Sequence, residues 1–244
     1  MTLLNRYQDA VHNLFKKIED TQRGAIIQAG NLVADTIASG GAAFLSSICH
    51  RIEYDLLYRG GGPIFYKRLD YKLDVDNPAR DRDRSGVDTS AEGLGMYALK
   101  ASKALPGDLI MLSSVSGRTP KVVDLAWEAK KFGMKVIAFT SMEYARAVEP
   151  VHSSGKKFYE MADIVLDNCA PAAEAMLEID GIEARFAAAS GIASDYILWS
   201  LTSVAVESLM AKGIAPGILK SANFPGGNDY NKTVVEPNYT KTGY

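Results

Sequence analysis

The chain has 244 residues, 47 % of them apolar, and a net charge of −2 with acidic and basic residues interspersed. That suits one α/β domain with extensions better than two full domains, and it lacks the basic footprint of a nucleic-acid binder. Two cysteines without CxxC spacing argue against a disulfide framework or a zinc site. No apolar run reaches the ~18 residues of a membrane span and no basic start precedes an apolar stretch, so the expectation is a soluble, cytoplasmic protein without a metal.

In chain order, Leu4, Tyr7, Val11, Leu14, Phe15 and Ile18 recur at spacings of three and four and predict a first amphipathic helix. A second helix is predicted over 22–38, stopping at Ser39-Gly40-Gly41. Residues 1–38 are thus expected as an N-terminal helical extension, 39–232 as the α/β domain and 233–244 as a C-terminal tail. Ala42–Leu45 reads as a strand, Ile48–Leu57 as a helix and Ile64–Tyr66 as a weak strand. The stretch 67–89 is polar, with signs alternating through Ala79-Arg-Asp-Arg-Asp-Arg84, and reads as a surface loop. The Gly60-Gly-Gly-Pro63 run follows a helix, so it is not a dinucleotide fingerprint, which needs a strand before it and a helix after it. A helix is predicted over 90–104.

The most informative stretch comes next. Leu109–Leu112 is too short an apolar run for a helix and follows Pro106-Gly107, so a buried parallel strand is predicted. The turn after it carries Ser113, Ser114, Ser116 and Thr119, with Gly117 permitting positive φ and Pro120 suited to the first turn of a helix over 120–132. Thr119 fits as N-cap. A cap needs one hydroxyl, and four within seven residues beside a glycine point instead to a ligand. A helix start offers unpaired N–H groups and about half a positive charge, so a phosphate fits there.

Strands predicted at 135–140 and 163–167 alternate with helices at 120–132 and about 155–161, the rhythm of a parallel sheet, for which five strands are expected in a doubly wound α/β fold. Residues 175–188 read as a hairpin turning at Asp180-Gly181, and Ser190–Ala211 as a long buried helix. No Walker motif, HExxH helix or GxSxG elbow occurs, and no cofactor is expected.

Ser114-Val-Ser-Gly-Arg-Thr-Pro-Lys-Val-Val resembles the phosphate-binding signature S-x-S-G-x-T-P of the SIS (sugar isomerase) domain family. Lys135-Val-Ile-Ala-Phe-Thr-Ser141 and His152–Asn168 resemble segments of its bacterial phosphosugar isomerase or phosphosugar-binding subgroup, similar to phosphoheptose isomerases. The likeness extends over residues 25–232. It implies a SIS fold, a homodimer, and a phosphorylated monosaccharide held by Ser114, Ser116, Gly117 and Thr119. In an open parallel sheet the loop after the first strand faces that turn, which makes Ser46 and Ser47 candidates for sugar hydroxyls, although relatives carry a glycine-rich or histidine-containing loop here. SIS isomerases use a glutamate from about the following helix. Glu53 and His50, one turn apart there, are therefore candidates for proton transfer in aldose–ketose isomerisation, with His152 as a candidate acid. The competing readings are a non-catalytic sugar-phosphate sensor and an etherase or lyase for an amino-sugar phosphate.

Overall fold

The computed structural model describes residues 1–46, 49–87 and 92–244. Its centre is a five-stranded parallel sheet of β1 (Ala43–Ser46), β2 (Tyr66–Arg68), β3 (Leu109–Ser113), β4 (Lys135–Thr140) and β5 (Ile164–Asp167), in the order β2-β1-β3-β4-β5. Both faces are covered, so each strand is apolar on both sides, as a doubly wound sheet requires. Side chains alternate across the pleat. Leu109 and Met111 of β3 join the core under α1 (Leu3–Ala38) and α5 (Ser190–Ala211), whereas Ile110 and Leu112 join the core under α2 (Leu94–Ala101) and α3 (Pro120–Phe132). A short α4 (Met142–Ala147), capped by the Ser141 hydroxyl, follows β4. The hairpin β6 (Ala175–Ile179) and β7 (Ile182–Ala188) turns at Asp180-Gly181, as its sequence signals.

Several elements differ from expectation for identifiable reasons. The N-terminal segment is one 36-residue helix rather than two. Glu19-Asp-Thr-Gln-Arg23 contains neither proline nor glycine to stop it, and the buried stripe Leu14, Ile18, Ile26, Ala29, Val33, Ile37 runs straight through. It ends at Ser39 and Gly40, the latter at φ 81°. In place of a regular helix at 48–57 the chain forms a 3-10 segment, Cys49–Asp55, interrupted by His50 and Arg51 in the left-handed region at φ 59° and 75°. Leu56 and Leu57 just beyond are fully packed in the core with α5 residues, and that burial overrides local helical preference. Strand β2 starts two residues later than expected because the Ile64 N–H donates to the Gly217 carbonyl and Pro63 pairs with Ile218. Of the helix expected over 90–104, the described residues form Leu94–Ala101, ending where the Ser102 hydroxyl donates to the Leu99 carbonyl.

The C-terminal residues form α6 (Gly227–Tyr230), a π turn over Asn231–Val235 and α7 (Glu236–Thr242). Val235 is buried, and the Lys67 ammonium lies 3.6 Å from the Tyr239 ring centre, so this segment packs beside β2. Among the described residues, no helix is long and apolar enough to cross a membrane.

Candidate functional site

The order β2-β1-β3 reverses direction between β1 and β3, and crevices at such a switch point, beyond the carboxyl ends of the strands, are where open α/β sheets bind ligands. Ser46 ends β1 and Ser113 ends β3, so both border it. The turn Ser114–Thr119 is held rigidly. The Ser114 N–H donates to the Phe139 carbonyl at 3.1 Å and the Gly117 N–H to the Ser114 carbonyl at 2.9 Å. From β4, the Thr140 hydroxyl donates to the Ser114 carbonyl at 2.7 Å. On the far side, the Phe158 N–H donates to the Gly117 carbonyl at 2.8 Å. Gly117 sits at φ 68°, and a Cβ there would lie 3.0 Å from the Ala145 Cβ, so both conformation and space call for glycine.

Thr119 is the N-cap of α3 by backbone position, but its hydroxyl does not cap the helix. It lies 3.0 Å from the Ser114 hydroxyl, which in turn receives the Thr119 N–H at 3.4 Å. The backbone N–H groups of Ser116 and Arg118 have no hydrogen-bond partner among the described residues. The free Ser116 N–H, three hydroxyls and the positive end of a 13-residue helix therefore meet at one place.

They border a cavity of about 270 Å³ lined by His50, Ser113, Ser114, Val115, Ser116, Thr119, Val122, Tyr144 and Glu174. A neighbouring cavity of about 330 Å³, which shares Thr119 and Val122, is lined on its other sides by Ser46, Arg51, Asp70, Tyr71, Lys72 and Lys121. The Lys121 ammonium donates to the Tyr71 carbonyl at 2.8 Å. Burial, with Asp124 and Asp70 adding to it, pushes the Tyr71 phenol up to about 12.

The candidates named from sequence separate here. Ser114, Ser116 and Thr119 line one cavity with His50, Ser46 lines its neighbour, and Ser47 lies outside the described residues. His50 and Glu53 do not form the helical i, i+3 pair expected of them, because the left-handed His50–Arg51 step intervenes. Glu53 is 2 % exposed and lines neither cavity. The carboxylate that faces His50 is Glu174, with Oε2 3.6 Å from Nε2. Glu174 also accepts from the Ser190 hydroxyl at 3.1 Å and adopts φ 71° directly after Ala173 at φ 61°, a strained pair of the kind that concentrates at functional sites. Nothing local in Pro171-Ala-Ala-Glu174 signals this, since the approach to His50 is made only by the tertiary fold. His152 lines a third cavity with Glu92 and Asp124 that shares no residue with the other two.

Fold and site together define a doubly wound open-sheet domain whose switch-point crevice is lined with hydroxyls at a helix start. Residues 6–141 match the model of the SIS domain, and the chain belongs to the SIS domain family. It is 34 % identical over 235 residues to a UPF0309 protein of Streptomyces griseus, spanning 96 % of this chain and 94 % of that one. A UPF0309 protein of Listeria monocytogenes is 34 % identical over 230 residues, spanning 93 % and 94 %. Among solved structures, a phosphoheptose isomerase from Neisseria gonorrhoeae superimposes with a TM-score of 0.51 at 14 % identity, over 85 % of this chain and 98 % of that one, a likeness of fold.

Proposed function

We propose that the protein binds a phosphorylated monosaccharide, with the phosphate at the start of α3 against Ser114, Ser116, Thr119 and the backbone around Gly117. The observation that carries this reading is the pair of unpartnered N–H groups, Ser116 and Arg118, in a turn whose hydroxyls crowd the same helix terminus. Membership of the SIS domain family supports it. The sugar would extend from the cradle toward His50 and Glu174 or toward Ser46.

The reaction that fits is aldose–ketose isomerisation. A base removes the proton from the carbon next to the carbonyl and returns it to the former carbonyl carbon, while an acid gives its proton to the carbonyl oxygen and is restored by the proton of the neighbouring hydroxyl, which becomes the new carbonyl. We assign the base to Glu174 and the acid to His50, which face each other at 3.6 Å beside the cradle. The buried Glu53 and His152, which lines a separate cavity, are not used. A non-catalytic sensor is the second reading, favoured by one observation: the His50 side chain is 72 % exposed, whereas a catalytic acid gains from a desolvated setting.

The test is thermal unfolding against a panel of sugar phosphates and their unphosphorylated parents, with each binding compound incubated and followed by NMR. A ligand at 100 times its dissociation constant stabilises by about 2.7 kcal/mol. Phosphate-dependent stabilisation with isomer formation supports the enzyme, and stabilisation without product supports the sensor. Absence of any phosphate preference overturns the cradle.

A homodimer belongs to the same proposal. Leu3, Leu4, Tyr7 and Ile27 of α1 are exposed, and a groove between α1 and α5 is lined by Ile26, Ile27, Tyr196 and Val204. Sedimentation at micromolar concentration should give twice the chain mass, and a monomer would reject this part.

A further inference from the structure

Further along α3 lies a cavity of about 400 Å³ lined by Glu92, Asp124, Trp127, His152 and Ser153, separate from the hydroxyl turn. His152 is 8 % exposed, and its Nε2 stands 3.7 Å from Glu92 Oε2 and 3.9 Å from Asp124 Oδ1. On the other edge of the ring, the Ser154 backbone N–H donates to Nδ1 at 3.1 Å, and the Ser154 hydroxyl lies 2.8 Å from the same nitrogen. A nitrogen that accepts a backbone proton cannot also carry one, so the ring proton is on Nε2. That N–H has no hydrogen-bond partner among the described residues, because both carboxylates stand beyond hydrogen-bond reach.

The surrounding acceptors are fixed. Asp124 takes the Gly93 N–H on one oxygen at 2.7 Å and the Gly95 N–H on the other at 2.8 Å, while Glu92 takes the Ser153 N–H at 2.9 Å and also the Ser153 hydroxyl. One donor and two carboxylates thus stand around one cavity, each carboxylate oxygen within 4 Å of Nε2, so that a hydroxyl on Nε2 can also reach a carboxylate. The filling group must accept from Nε2–H and donate to a carboxylate. A water or a hydroxyl does both, but a cavity of about 400 Å³ is many times the ~30 Å³ of one water and admits a hydroxylated ligand; an ammonium cannot accept, and a phosphate monoester is repelled by Glu92 and Asp124. Trp127 adds an apolar wall, and the volume lies in the range of small-ligand pockets.

We propose that this cavity is a second site, which binds a neutral polyhydroxylated ligand, an unphosphorylated sugar or polyol, through a hydroxyl bridging His152 Nε2 to Glu92 and Asp124. It differs from the cradle at α3 in both place and charge preference.

The experiment titrates the full chain carrying Trp199→Phe, so that Trp127 is the sole tryptophan, with D-glucose, D-mannose, D-mannitol and glycerol, alongside glucose 6-phosphate and methylammonium. A saturable fluorescence change with at least one neutral compound is expected, weakened at least tenfold by His152→Phe and by Glu92→Gln, and retained in Ser114→Ala. Glu92→Gln, which keeps shape and the Ser153 contact, supplies the result if His152→Phe does not fold. Four results would each overturn the site: no saturable response to any neutral compound, a response unaltered by the variants, a response lost in Ser114→Ala, or a response to methylammonium or glucose 6-phosphate alone.

Discussion

Gly117 shows how much of the proposed cradle depends on single atoms. With φ at 68° and only 3.0 Å between a would-be Cβ and the Ala145 methyl, Gly117→Ala combines left-handed strain with a clash. It should cost about 1–2 kcal/mol, seen as a melting temperature lower by a few degrees, and it should weaken sugar-phosphate binding. Ser114→Ala removes one hydroxyl, and with it the long bond from the Thr119 N–H, while leaving the backbone-to-backbone bonds of the turn in place. A hydrogen bond to a charged group contributes about 1.5–3 kcal/mol, so calorimetry should show binding weakened roughly 10- to 150-fold. Under the isomerase reading, Glu174→Gln should abolish exchange of the substrate proton with solvent while changing the dissociation constant by no more than a few-fold. Exchange that continues in this variant would return the role of base to another carboxylate.

Between elements, the packing of α1 on α5 sets opposite expectations for two glycines of one helix. At Gly24 a Cβ meets nothing within 4 Å, whereas at Gly30 it would lie 2.6 Å from both the Leu201 carbonyl oxygen and the Val204 Cβ. Glycine costs a helix interior up to about 1 kcal/mol relative to alanine. Gly24→Ala should therefore raise stability by as much as that amount. Gly30→Ala gains the same propensity but overpacks against another helix, which typically costs about 1–3 kcal/mol, so chemical denaturation should show a net loss. Helical continuity is decided by the buried stripe, and a glycine that faces α5 serves close approach rather than termination.

At the scale of the molecule, the two-sided burial of the sheet governs alkaline stability. Tyr66, the first residue of β2, is completely buried, and that burial pushes its phenol well above its usual value, a rise that the Thr202 hydroxyl donating at 3.3 Å only partly offsets. Because the folded value lies above the unfolded one, the protonated form is favoured by folding. The stabilisation is complete below the ordinary phenol value of about 10 and is lost as the pH rises through the folded value. Tyr71, raised to about 12, acts in the same direction. Urea unfolding between pH 8 and 11 should show stability falling above about pH 10, with a shallower fall in Tyr66→Phe; equal slopes would remove Tyr66 as the cause. Strands β3 and β4, helices α3 and α5, and the β6–β7 hairpin were legible in the chain because each is a local pattern: an apolar run bounded by turn residues, a 3.6-residue stripe, an Asp-Gly turn. The hydroxyl-rich turn was legible for the same reason, since strand, glycine, cap and proline are consecutive. The sequence by itself thus determined the doubly wound class and the shape of the turn after β3. Only the tertiary structure decided that Glu174 rather than Glu53 faces His50, that His152 opens into its own cavity, and that residues 61–64 bond to the Gly217–Leu219 segment so that β2 starts after them. Those outcomes depend on contacts between residues far apart in the chain and on burial that overrides local preference, and periodicity and spacing carry neither.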